Sequence, residues 1–374
     1  MNKKLSLIVL LFILTSVYIL PQKTVNFEWV GDFSEGLAPV KLNDKWGFID
    51  VNGNIVVEPK YGSDLDAPFY KNGLVRVYSP EQKAWGYLDK SGNVAIDFKF
   101  YSCTPFYDTV AAIYTPGSAS DATSYARWSI INRNGEIICN DMHNGHSNST
   151  HFIEGRARIS KDFKYGYVDT KGEIVIPNKY EDVRDFSEGL AAVMLDGKWG
   201  FIDKDGNVKI DFKFSIEPKS FSNGRTFVQG TNYKFGIIDT EGKVIVYPKY
   251  NQVFPFNEGL AVVSEMDKKH QETFFIIDVN GRVIKEFKKA GNDKFYLISG
   301  FNEGLAIINK GYGHIRGYVD TKGKTVIDYQ FRNIRPFSDG RAFVDKIDKK
   351  TREITQGYID KRGKFVIVVE QPKF

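Results

Sequence analysis

A nine-residue phrase returns nine times along this chain of 374 residues, always with the same internal spacing. Lys198-Trp-Gly-Phe-Ile-Asp-Lys-Asp-Gly206 shows it in full, with Trp199-Gly200 opening and Gly206 closing. The two glycines stand six residues apart at 47 and 53, 86 and 92, 166 and 172, 200 and 206, 236 and 242, 317 and 323, and 357 and 363. Two further copies keep the spacing with Ser129 and Phe275 in place of the first glycine. Positions 47 and 357 are eight steps apart, so the mean period is just under 39 residues. Such a period marks a repeat architecture, in which a unit cannot bury its apolar face alone and stacked neighbours build the core.

A second fixed segment precedes each phrase: an aromatic, two mostly polar residues and a glycine before an apolar strand, as in Phe186-Ser-Glu-Gly-Leu-Ala-Ala-Val193. The aromatic is Phe33, Tyr70, Phe106, Phe152, Phe186, Phe221, Phe256, Phe301 and Phe337, and Thr109 alone replaces the glycine. A third marker follows the closing glycine by eight residues: Tyr61, Phe100, Tyr180, Phe214, Tyr250 and Phe331. Units three, seven and nine lack it.

Each unit reads as a meander of three antiparallel strands, in unit five Leu190 to Met194, Lys198 to Asp203 and Asn207 to about Ile210. The Asp-x-x-Gly between the last two has a mechanism. The Asp side chain accepts hydrogen bonds from the turn's own amides, and the glycine takes the left-handed conformation that closes a bulged hairpin. Asp203 with Gly206 is one such pair; Asn132 is the one substitution for Asp. Period-2 alternation puts Trp199 and Phe201 on one face and Gly200 and Ile202 on the other, so the strand is covered on both sides. A glycine inside a strand marks a close approach, here expected to be a large aromatic of the adjacent unit.

These residues resemble the WG-repeat (KWG-type) family over the whole chain after its first residues. Trp46-Gly47, Trp85-Gly86 and Trp199-Gly200 stand intact, each followed by an aromatic, an aliphatic and Asp. The resemblance implies a bacterial repeat protein, often exported and generally without an assigned reaction.

Asn2-Lys3-Lys4 precedes an uncharged apolar run from Leu5 to Leu20, ended by Pro21. Residues 1–21 therefore read as a signal peptide or an uncleaved membrane anchor, 22–26 as a short linker and 27–374 as the nine repeats. The 51 basic and 46 acidic residues form no block of one sign, which gives a nucleic-acid partner no support. Cys103 and Cys139 flank the third repeat; a disulfide and two separate buried thiols both stay open.

The Asp turns supply one carboxylate each, too few for a calcium array. Lys60, Lys99, Lys179, Lys213 and Lys249 repeat beside the third marker, and Glu35, Glu188, Glu258 and Glu303 form a competing acidic row. Both rows read as solvated strand edges. His143, His146 and His151 cluster in one spacer, a weak metal candidate because a polar loop does not preorganise ligands. Catalytic motifs are absent, and no cofactor is expected.

The expected fold is all-β: nine three-stranded meanders stacked as an open solenoid-like array, with a closed β-propeller as the alternative. Nine units, steps as short as 34 residues and three strands per unit count against closure, since propeller blades usually number four to eight with four strands each. In an open array, deleting residues 187 to 221 leaves the other units folded. The expected function is a non-enzymatic scaffold of the bacterial cell envelope. It binds a protein or surface polymer along an extended face and meets the membrane only through an uncleaved N-terminus. The alternative is a carbohydrate-binding module, which needs exposed aromatics in register.

Overall fold

The computed structural model describes residues 22–62, 66–116, 127–140, 147–148, 151–287, 295–297, 299–311, 315–348 and 350–372. Residues 1–21, read as a signal or anchor, lie outside the described residues. Within them the architecture is all-β: units one to seven each form a sheet of three or four antiparallel strands, and units eight and nine run together in one eight-stranded sheet.

Unit five shows the plan. Its strands are Leu190–Leu195, Lys198–Asp203 and Val208–Phe214, so the third runs four residues past its expected end. A fourth, two-residue strand, Asp182–Val183, pairs with Val193 and Met194 on the open side of the first. The three-strand expectation missed it because two residues carry no periodicity. Short partners of this kind occur in other units, including Trp29–Val30, Ser102–Cys103 and Gln252–Val253.

The strand glycine has a different neighbour from the one expected. Trp199 pairs with Phe214 but Phe201 pairs with Ile210, so the third strand bulges at Gly200. A Cβ at Gly200 would lie 2.7 Å from the Ile210 carbonyl oxygen and 3.0 Å from the Phe212 ring. What crosses the glycine is its own unit's third strand, not an aromatic of the adjacent unit. In unit seven Phe275 replaces the glycine and the third strand runs straight there, with Phe274 facing Phe287. Phe287 thus takes the marker's place six rather than eight residues after Gly281, which is why unit seven shows no marker at the usual spacing.

The turn after the first aromatic is a two-residue hairpin of the mirror-image kind. Ser34 and Leu37 exchange main-chain hydrogen bonds, and Glu35 and Gly36 both have positive φ. The residue at the Glu35 position has φ of 50–55° in all nine units. This geometry aims its side chain at the next unit. Glu35 accepts from the Gly73 amide at 2.8 Å, Asp108 from Gly155 at 2.7 Å, Glu188 from Gly224 at 2.8 Å and Glu258 from Gly304 at 2.7 Å. The acidic row is therefore a set of clasps between units rather than a solvated edge. At Thr109, which replaces the clasped glycine, Asn72 instead donates to the Phe106 carbonyl at 3.4 Å.

The same contacts join unit nine to unit one. Asp339 accepts from the Gly36 amide at 2.8 Å. Ser338 Oγ donates to the Phe33 carbonyl at 2.7 Å, as Ser187 Oγ does to Phe221. Arg341 Nε reaches the Val51 carbonyl at 2.9 Å, as Arg225 Nε reaches Val279. Phe33 meets the Tyr358 ring edge-on at 4.9 Å, the geometry and distance at which Phe186 meets Tyr167. A repeated junction of constant geometry turns the chain by a constant amount, and nine of them complete the circle. The preferred open array is thus replaced by its alternative, a closed β-propeller of nine units. Length variation, which seemed to oppose closure, is absorbed between strands and leaves the contacts that close the ring in place.

Residues 22–26 are not a linker. Lys23–Asn26 forms a strand parallel to Phe365–Glu370, placing this segment on the edge of the last unit. Val25 and Phe27 are buried there with Phe33, Tyr358 and Ile367. Closure also changes the deletion expectation. Removing residues 187 to 221 breaks two junctions of a ring and demands a new one across the gap.

Candidate binding cleft

Most in-register residues are fully occupied by structure. Asp203 Oδ1 accepts from the Asp205 and Asn207 amides at 3.0 and 2.9 Å, and Gly206 has φ +84°, as a capped hairpin requires. Burial alone would raise the Asp203 carboxyl. Hydrogen bonds from Asn207, Asp205 and Lys209 outweigh it and hold the pKa at about 2. Trp46, Trp85 and Trp199 are buried. Lys41, Arg76 and Arg184 lie over their rings at 5.8, 5.1 and 4.9 Å. Gly47 and Gly86 sit, like Gly200, under their own third strands. The repeated lysines stack on the markers beside them, for example Lys179 over Tyr180 at 5.1 Å.

The other sequence candidates separate. Cys103 and Cys139 occupy the two outer strands of one four-stranded sheet, three strand spacings apart. That is about 14 Å, twice the Cα reach of a disulfide, so this fold holds the two thiols apart. Cys139 replaces the aliphatic that faces the next hairpin glycine, here Gly172. His143 and His146 lie outside the described residues. His151 stacks edge-on against Tyr107 at 4.6 Å, and burial pushes its imidazole below the usual value against the opposing pull of Asp185. It borders a nook of about 150 Å³ with Asp66, Arg76 and Trp85. Among the described residues, no three His, Cys, Asp or Glu side chains come together as a metal site.

Among the described residues, the junction of units five and six departs from its neighbours, and composition gave no sign of it. Between units five and six lies a cleft of about 560 Å³, floored by Val228, Ile238, Val244 and Val246. Two small residues create it. At the preceding junction Leu195 and Phe212 pack against the cluster around Tyr180. Five residues after the start of each first strand, Gly230 stands where Leu195 does; six after each hairpin glycine, Pro248 stands where Phe212 does. A gap one aromatic and one leucine wide remains beside Phe214.

The fourth strand is also missing there. The sheet of unit six has three strands, Arg225–Gln229, Phe235–Asp239 and Val244–Tyr250. Seven residues lead from Phe214 to Phe221, against six from Tyr180 to Phe186, and they include Pro218. The extra residue and the fixed φ of proline take this stretch out of register with the first strand. Lys219 N–H still reaches the Phe227 carbonyl at 3.0 Å.

Residues 25–46, 46–78, 85–113, 165–199, 199–234, 235–269 and 317–350 match the description of a WG containing repeat, together more than half of the sequence. The chain belongs to the WG-repeat family. No curated protein matches it. Among solved structures, Kluyveromyces lactis Hsv2p is 11% identical over 88% of this chain and 97% of that one, with a TM-score of 0.33. AztD of Citrobacter koseri is 13% identical over 79% and 84%, with a TM-score of 0.29. The WD40 domain of Toxoplasma gondii coronin is 13% identical over 90% and 82%, at 0.26. The ring of this WG-repeat protein rests on its own contacts.

Proposed function

We propose that this WG-repeat protein is a non-enzymatic interaction scaffold, exported to the bacterial cell envelope, that binds a protein partner at the irregular junction of its ring. The observation that carries this reading is the contrast between junctions. Repeated polar residues are engaged in turns and clasps, whereas the junction of units five and six leaves an apolar cleft. A cleft of several hundred Å³ lined by aliphatic side chains suits an apolar anchor. The carbohydrate reading needs a row of exposed aromatics. Among the described residues Trp29, Phe69, Tyr101, Phe163, Tyr233 and Tyr247 are the exposed ones, and they make no row. Phe163 and Tyr233 share a turn position but stand two units apart, and the other four belong elsewhere in their units.

The test is to pan displayed seven-residue peptides on the purified protein and, in parallel, to screen it against a glycan array. The scaffold reading expects an enriched peptide consensus and no glycan signal. Glycan binding without peptide enrichment would establish the carbohydrate reading in its place.

A further inference from the structure

We infer that the cleft between units five and six accepts an extended acidic–apolar segment of a partner protein as the missing fourth strand of unit six. This rests on the scaffold reading and names the partner's chemistry.

The first observation is an open strand edge. In unit two, Gly62 and Tyr78 exchange both main-chain hydrogen bonds, at 2.8 and 2.9 Å. In units five and seven, the Glu181 and Asn251 amides donate to the Met194 and Ser264 carbonyls. Gln229 holds this position in unit six. The alternation of an antiparallel ladder turns its N–H and C=O away from the second strand and into the cleft. Neither has a main-chain partner there among the described residues. An unpaired strand edge beside an apolar groove is what an added peptide strand uses, with main-chain bonds supplying affinity and side-chain pockets specificity.

The second observation is charge. At the next junction Lys249 Nζ pairs with Glu265 at 3.0 Å. Lys213 is the counterpart of Lys249, and Gly230 stands at the place of Glu265. Among the described residues Lys213 is the one charged residue lining the cleft, and no carboxylate lines it. The third is volume, since the gap matches the side chains of Leu195 and Phe212 at the preceding junction. Together these specify the occupant. It is an extended backbone bonded to Gln229, with one aromatic or leucine side chain on Val228 and Ile238 and one carboxylate on Lys213.

The probe is the peptide set enriched by panning on the full chain, made synthetically with a fluorophore. Pro248→Phe restores the packing of the neighbouring junction and should weaken binding at least tenfold without lowering the thermal midpoint. Lys213→Gln should weaken binding several-fold and reduce its salt dependence. In the wild-type protein, bound peptide should slow exchange of the Gln229 amide at least tenfold. That reading needs no variant to fold. Enriched peptides lacking acidic residues, unchanged by Pro248→Phe, or leaving Gln229 exchange unaltered would overturn the slot while the scaffold reading stands. A protein that enriches no peptide and binds glycans would overturn both.

Discussion

Gly200→Ala should destabilise the protein by about 2–3 kcal/mol, the upper part of the range for a forced steric insertion. The added Cβ would sit 2.7 Å from the Ile210 carbonyl oxygen and 3.1 Å from the Phe212 amide nitrogen. Both are main-chain atoms of the bulge, so relief requires moving the third strand, and that strand carries Phe214 against Trp199. Gly189→Ala makes the control. Its φ is +79°, yet nothing lies within 4 Å of an added Cβ. It should cost about 1 kcal/mol, from left-handed backbone strain alone. Chemical denaturation of both variants gives the comparison. Equal losses would mean that conformation rather than the crossing strand explains the phrase's first glycine, and the bulge account would fail.

Removing residues 1–27 should have the larger effect. The truncation takes away four parallel pairings with the last unit and two buried side chains, Val25 and Phe27. Each such side chain contributes about 1.5–3 kcal/mol when fully buried. The edge of Phe365–Glu370 would also be bared, along with the Glu370 carbonyl that accepts from Phe27 N–H at 3.2 Å. A loss of at least about 4 kcal/mol is expected, with a fall in thermal midpoint of several degrees. Adding a synthetic peptide of residues 22–28 should restore part of it. An unchanged midpoint in the truncated protein would show that the N-terminal strand does not hold the ring shut.

The repeat and its turns were legible in the sequence because they depend on local chemistry. Asp203 and Gly206 act within five residues of one another, so spacing alone reveals the capped hairpin. The clasp was partly legible. Glu35, Glu188, Glu258 and Glu303 recur, but their role depends on a positive φ that turns each side chain toward the neighbouring unit. Asp108 and Asp339 act in the same way and escaped notice because they differ in residue type. Closure was not legible, because a period of residues states how often a unit returns and not how far each junction rotates. The bulge hid the equivalence of Phe287 with Phe214 by shifting the count two residues. The cleft was the most accessible of the missed features. Gly230 is a plain departure once the units are aligned, and it coincides with Pro248, a residue that unit one also carries at that position as Pro59. Their meaning comes from what Leu195 and Phe212 do one junction earlier.

The central claim is that the first and last WG-repeat units are neighbours. Spin labels at the exposed turn positions Asn52 and Arg362, with Cys103 and Cys139 replaced, measure this directly by pulsed dipolar spectroscopy. Face-to-face sheets pack about 10 Å apart. The closed ring therefore predicts a narrow distribution below about 30 Å once the label arms are included. An open array of nine units puts eight such spacings between the labels, and a distribution near about 80 Å would contradict the ring.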